Sequence, residues 1–246
     1  MLVYAGTLRH ARAAGTATVG VKASARKEQR RKGTVALAEV LRIAHARGVP
    51  VLVDAAGQVY PVERMKSYPA SGADLVCYGA KYIGAPHSTG ILCGRRDLVE
   101  SAAAQGFIAF ETGGHIAFGR PLKLDRQEII AVVAAHREWL EMDHDARLHA
   151  YDRRVQTIAR AALGLPGVTA AALPEPPAPA TRLRIAVDPA RAGRTASETA
   201  RAPMDGYPGV AVDVDGDSLS VSVATLLDGD EEVVAARLRE VLTRQP

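Results

Sequence analysis

Two side chains in the first half of the sequence have the types and the spacing for carbonyl chemistry. Asp54 follows the apolar run PVLV and opens DAA, and Lys81 follows ADLVCY within the stretch ADLVCYGAKYIGAP. An amine in a dry pocket favours its neutral form, which condenses with an aldehyde to a Schiff base. A buried carboxylate nearby keeps a pyridine nitrogen protonated. Those are the two protein groups that pyridoxal phosphate needs, a lysine at its aldehyde end and an acid at its ring nitrogen. On spacing alone the commoner roles stay open: an Asp that caps a turn, and a Lys that is solvated.

The flanking patterns predict the elements that bring these residues together. TVALAEVLRIAHARGVP carries Val35, Leu37, Val40, Leu41 and Ala44 on one helical face, with Gly48 and Pro50 as stop signals. PVLVDAA and ADLVCY are short continuous apolar runs, as in parallel strands covered on both faces. GQVYPVERMKSYPASG reads as the loop between them, TGILCG as a third strand and RRDLVESAAAQG as the next helix. Asp54 and Lys81 are 27 residues apart, one strand-crossover-strand excursion. Both therefore stand at carboxyl ends of strands, the edge where open α/β sheets bind ligands.

Residues 123–165 form one long helical pattern with a break near Asp143, and Asp125 with Glu128 forms a capping box at its start. Beyond LPGVTA the proline-rich PEPPAPA reads as a connector that cannot continue a helix. Strands TRLRIAV, GVAVDV and SLSVSV, a helix from Thr195 and a closing helix DEEVVAARLREVL then predict a small α+β domain over 166–246. Asp215-Gly216 is the turn of a hairpin between the last two strands.

Charge is uneven. Net charge is +4, yet Arg9, Arg12, Lys22, Arg26, Lys27, Arg30, Arg31 and Lys32 face only Glu28 in residues 1–33. This segment reads as a basic leader, solvated or poorly ordered, without the aromatic interleaving of a base-stacking platform. The two cysteines, Cys77 and Cys93, lie in apolar runs and read as buried thiols of a reducing cytoplasm, with neither metal-ligand nor disulfide spacing. No apolar stretch approaches the about 18 residues of a membrane helix, and the early arginines argue against a secretory signal.

Several blocks, in order, give a more specific signal. VPVLVDAAGQ, ADLVCYGAKYIGAPHSTGILCGRRDLVE and GRPLKLDRQEIIAVVAAHREWLE resemble blocks of the fold-type I pyridoxal-phosphate enzymes in the group of L-seryl-tRNA(Sec) selenium transferase and D-glucosaminate-6-phosphate ammonia-lyase. The resemblance runs from about Gly33 to the C-terminus. It implies an α/β fold: the later part of a mainly parallel large domain over 34–122, an interdomain helical segment over 123–165, and the small C-terminal domain. It implies Asp54 as partner of the pyridine nitrogen, Lys81 as the Schiff-base lysine and Gln58 as a polar contact to the ring hydroxyl. Ser88 and Thr89 would reach a phosphate at a homodimer or higher homo-oligomer interface. Arg120, Lys123 and His87 would meet an anionic amino substrate. The implied reaction is α,β-elimination or β-replacement, a lyase or transferase outcome in the cytoplasm.

The departures from that pattern are equally specific. The turn before the lysine reads Gly-Ala-Lys, where the group has Gly-Gly-Lys, and His87 stands at the usual Gln. His115 reads as a solvated loop histidine. Only 53 residues precede Asp54, and GTATVG is not followed by a helix pattern that would aim its N–H groups at a phosphate. The sequence thus reads as the C-terminal part of such an enzyme behind an unrelated leader. Two other classes stay open: a non-catalytic remnant or interaction module, and a nucleic-acid binder using the leader. The leader also keeps tRNA open as a partner, although a small anionic substrate is favoured.

Overall fold

The structure, a computed structural model, describes residues 2–4, 19–22, 35–107, 119–175 and 178–243. The chain divides into two units, Met1–Met142 and Asp143–Pro246. The boundary falls inside the segment 123–165 that the sequence assigns to one interdomain helical stretch.

In the first unit the elements are β1 (Leu2–Tyr4), β2 (Val19–Lys22), α1 (Leu37–His45), β3 (Val51–Asp54), α2 (Val62–Ala70), β4 (Leu75–Gly79), β5 (Gly90–Gly94), α3 (Arg96–Ala104) and α4 (Arg126–Glu141). The sheet runs β1-β5-β4-β3-β2. β3 is parallel to both β2 and β4, with Asp54 beside Cys77, whereas β5 is antiparallel to β4 and to β1. Four of the five strands thus run in one direction, as in the mainly parallel sheet expected, and β5 alone runs against them. The reason is the connection: from Gly79 the chain has only residues 80–89 before β5, too few for the crossover of about a dozen residues that a parallel return requires.

Two expectations for the remaining segments change. The basic leader supplies both edge strands; its other residues, 5–18 and 23–33, lie outside the described residues. An open sheet edge offers a row of unpaired N–H and C=O groups, and short β-prone segments such as LVY and VGVK can satisfy it. The supposed loop after Asp54 contains α2. Its prolines read as breakers, but Pro61 precedes the first turn and Pro69 sits in the last, where proline costs no needed hydrogen bond at the start and little at the end. The half-buried Val62, Met65 and Tyr68 recur every third residue and pack on the core.

That core is built from Val51, Val53, Val76, Tyr78, Ile83 and Ile91 of the sheet region and Val132, Ala135 and Trp139 of α4. The indole N–H of Trp139 donates to the carbonyl of Val59 at 3.1 Å, and the Tyr78 hydroxyl donates to the carbonyl of Met65 at 2.6 Å. Both bonds tie down the chain that leaves Asp54. The capping box at α4 is present: the Asp125 side chain meets the N3 backbone and Glu128 accepts from the Asp125 N–H.

Gly94 marks the closest approach in the sheet. Its φ is +144°, and a Cβ there would lie 2.1 Å from the carbonyl oxygen of Asp74. Gly94→Ala is expected to lower stability by more than about 1 kcal/mol, read as an earlier denaturant midpoint. An unchanged midpoint would contradict this packing.

The second unit contains α5 (His144–Ala161), β6 (Val168–Glu175), β7 (Ala178–Val187), the short α6 (Pro189–Ala192), α7 (Ala196–Met204), β8 (Asp213–Asp215), β9 (Ser218–Ser222) and α8 (Asp230–Thr243). Its antiparallel sheet runs β6-β7-β9-β8. Alternate residues Leu183, Ile185, Val187, Leu219 and Val221 face Val155 and Ile158 of α5 and Leu238 of α8 in one core, the period-two pattern of a half-covered sheet. Asp143 caps α5, its Oδ1 accepting the Ala146 N–H at 2.9 Å. Thr195 and Glu198 form a capping box on α7, and the β8–β9 turn holds Gly216 at φ +57°. Among the described residues no helix is long and apolar enough to cross a membrane.

Candidate active site at the tips of two parallel strands

Asp54 is the last residue of β3, and Lys81 is the second residue beyond β4, in a single 3-10 turn over Ala80–Ile83. The ladder continues past both strand ends. The Ala55 N–H donates to the Cys77 carbonyl at 3.0 Å, and the Gly79 N–H donates to the Ala56 carbonyl at 2.9 Å. The segment that carries the acid and the segment that leads to the amine thus run side by side, about 4.8 Å apart, up to the residue pair preceding Lys81.

Asp54 is half-buried, and its Oδ1 accepts the Ala56 N–H at 3.1 Å, a local turn that fixes the carboxyl group. The Cys77 thiol lies 4.0 Å from the same oxygen and donates to the Val53 carbonyl at 3.7 Å. Burial, and then the charge of Asp54, push this thiol up to about 11. At neutral pH it stays a thiol and leaves carbonyl chemistry to the amine.

Lys81 is exposed, contrary to the dry pocket that its flanking sequence suggests. Its Nζ stands 5.3 Å from the centroid of the Tyr82 ring. That ring rests on bare backbone: a Cβ on Gly57 would lie 3.6 Å from it and one on Gly79 would lie 3.1 Å from it. The reason for the exposure is local, because the 3-10 turn buries Ala80 and Ile83 and turns the two residues between them outward.

The other expected site residues divide into those placed beside this pair and those already engaged. Gln58, four residues beyond Asp54, accepts a hydrogen bond from Arg64 at 3.2 Å. Thr89 is buried, and its hydroxyl donates to the Pro86 carbonyl at 2.6 Å. Ser88 donates to Glu128 at 2.6 Å. Both hydroxyls thus serve the turn and its tie to α4, and a carboxylate beside Ser88 disfavours an incoming phosphate there. His87 is exposed in the same turn. Lys123 is exposed, with its Nζ 4.6 Å from the Phe107 ring centroid. Arg120 opens a 3-10 turn, Arg120–Leu122, just before α4; its side chain and all of His115 lie outside the described residues. Among the described residues no cluster of three or more His, Cys, Asp or Glu is placed to hold a metal.

Comparison with known proteins fits this geometry. No protein-family model matches the chain. It is 34% identical over 217 residues to a 5'-C-glycyluridine monooxygenase-decarboxylase from a Streptomyces species, covering 86% of this chain and 51% of that enzyme. It is 26% identical over 215 residues to the D-glucosaminate-6-phosphate ammonia lyase of Salmonella typhimurium, covering 85% of this chain and 53% of that enzyme. The solved structure of a D-glucosaminate-6-phosphate ammonia-lyase superposes with a TM-score of 0.74 at 23% identity, over 92% of this chain and 57% of that one. The chain is a fold-type I relative of these enzymes. It spans about half the length of the two sequence relatives. A cysteine desulfurase from Escherichia coli shares the fold at a TM-score of 0.50 and 16% identity.

The residues present suit the pyridoxal phosphate that the fold implies. An amine and a carboxylate stand on neighbouring strand tips, on segments that the Ala55 and Gly79 ladder bonds hold side by side. Asp74 was missed in the sequence. It is buried at the start of β4, at the opposite end of the strand, and accepts from the Val51 N–H at 2.7 Å, His45 Nε2 at 2.8 Å and Arg95 at 3.0 Å. The signal was available: an Asp opening an apolar strand cannot be buried without partners.

Proposed function

We propose that this chain carries the lysine and the acid of a pyridoxal-phosphate enzyme acting on a small, anionic, sugar-derived α-amino acid. The observation that supports it is the placement of Asp54 and Lys81 at adjacent carboxyl ends of parallel strands. Lys81 would hold the cofactor's aldehyde carbon, and Asp54 would hold the proton on its ring nitrogen. When bound, that group supplies an electron sink for bonds broken at the substrate's Cα. The chain's own residues do the rest. Lys81, once released, is the base that takes the Cα proton at Nζ. The Ala56 N–H fixes the Asp54 carboxyl in the orientation that would meet the ring nitrogen. Lys123 and Arg120, at the turn before α4, would meet the substrate's anionic group.

The substrate class follows from what the two relatives' names share. Glucosaminate and a glycyl unit on a nucleoside carbon are both α-amino acids with a hydroxylated, sugar-derived frame. A hydroxyl on the carbon next to Cα is a leaving group for elimination, which favours the ammonia-lyase outcome. The 34% relative supports a second reading, loss of the carboxyl group at the same Cα.

The test is product analysis with sugar-derived amino acids and added pyridoxal phosphate. Ammonia release supports elimination, and carbon dioxide release with oxygen uptake supports the second reading. Asp54→Asn is expected to lower either rate by about 10²–10⁴-fold. Turnover that persists without the cofactor, or undiminished in Asp54→Asn, would overturn the proposal.

A further inference from the structure

Tyr82 has a position that neither the fold nor the core requires. It is 47% exposed, although a large aromatic side chain normally gains by burial. Its neighbours Ala80 and Ile83 supply the core contacts of the turn. Its ring lies on the seam where the Asp54 and Lys81 segments meet. One edge is near Gly57, three residues beyond Asp54, and the other is near Gly79, two residues before Lys81. The lysine amine is 5.3 Å from the ring centroid, within the about 6 Å over which a ring face attracts a cation. Gly79 has φ −78°, which any residue adopts, so its lack of a side chain is explained by the ring and not by the backbone. No hydrogen bond from the Tyr82 hydroxyl is present among the described residues, leaving the ring as the working part.

We propose that Tyr82 is the positioning residue for Lys81: its ring, seated on the Gly57–Gly79 seam, holds the amine over the tips of β3 and β4, where an aldehyde is to be captured. This rests on the reading of Lys81 and Asp54 given above, and adds the reason why an exposed lysine is selected over others. Lys66 on α2 is also exposed but has no described aromatic partner. In the capture step the lysine gives one proton to solvent, the neutral nitrogen bonds to the aldehyde carbon, and the aldehyde oxygen leaves as water with the nitrogen's two remaining hydrogens. Borohydride then adds hydride to that carbon and fixes the bond.

The test is labelling of the intact chain with pyridoxal phosphate and borohydride, read by peptide mass spectrometry at Lys81 and, as an internal control, at Lys66. Tyr82→Phe is expected to label at Lys81 within about twofold of the wild type. Tyr82→Ala and Tyr82→Leu are expected to need about three- to fivefold more reagent, with Lys66 unchanged. The role of Tyr82 is overturned if Tyr82→Ala labels Lys81 as the wild type does, or if Tyr82→Phe falls as far as Tyr82→Ala. A wild type that labels Lys81 no faster than Lys66 overturns both this inference and the reading beneath it, so the two failures are told apart by the wild type alone.

Discussion

Lys81→Ala is expected to remove the visible absorbance that pyridoxal phosphate gives on joining a lysine, and to cut any cofactor-dependent turnover by about 10²–10⁴-fold. The size of the effect comes from two roles on one atom. Nζ would be both the covalent anchor of the cofactor and the base at Cα. The variant is also a clean one. The side chain is exposed in a 3-10 turn whose buried residues are Ala80 and Ile83, so truncation leaves the core intact. Stability should stay within about 0.5 kcal/mol of the wild type. Thermal melting checks the second half of the expectation and absorbance the first. A variant that melts normally yet keeps the absorbance would place the anchor elsewhere.

The second large effect concerns Asp74, and it is one of stability. This buried carboxylate gathers three elements at the amino-terminal end of the sheet: β3 through the Val51 N–H, α1 through His45, and the start of α3 through Arg95. Burial pushes its carboxyl upward, but the bonds from the Val51 N–H, His45 and Arg95 outweigh burial and leave it below the usual range. A carboxyl held low in the folded state stabilises fully above its unfolded value, about 3.9, and that contribution is lost as pH falls through the folded-state value. Asp74→Ala should therefore cost about 2–3 kcal/mol at neutral pH, because the Val51 N–H is left buried without an acceptor. The gap between variant and wild type should narrow as the pH is lowered below about 4. Denaturant melts at several pH values measure this directly. A gap that is constant with pH would mean that the loss is one of packing and not of charge.

How far the sequence led to this site depends on the kind of signal each residue gives. The tips were legible because PVLV and ADLVCY are buried runs of strand length, and such runs must end in polar residues at the ligand edge of the sheet. The capping pair Asp125–Glu128, the helix start at Thr195 and the Asp215-Gly216 turn were legible because local hydrogen bonds and φ preferences decide them. The reversed direction of β5 was not, since it depends on whether ten residues can cross the sheet. The helix Val62–Ala70 was hidden by two prolines whose positions, not presence, matter. Strands Leu2–Tyr4 and Val19–Lys22 were hidden by the surrounding charge, because an edge strand is recruited by a neighbour's open hydrogen bonds. The phosphate role of Ser88 and Thr89 came from the family resemblance, and it concerns a neighbouring subunit. Their actual partners, Glu128 and the Pro86 carbonyl, come from tertiary placement and turn geometry.

The central claim is that one aromatic aldehyde can be held between the amine of Lys81 and the carboxylate of Asp54. The most direct measurement is a crystal structure of the protein grown with pyridoxal phosphate. Continuous density is expected from Lys81 Nζ to the cofactor, with an Asp54 oxygen in hydrogen-bonding reach of the ring nitrogen. Cofactor bound away from these two tips, or joined to Lys81 with its ring nitrogen turned from Asp54, would contradict it.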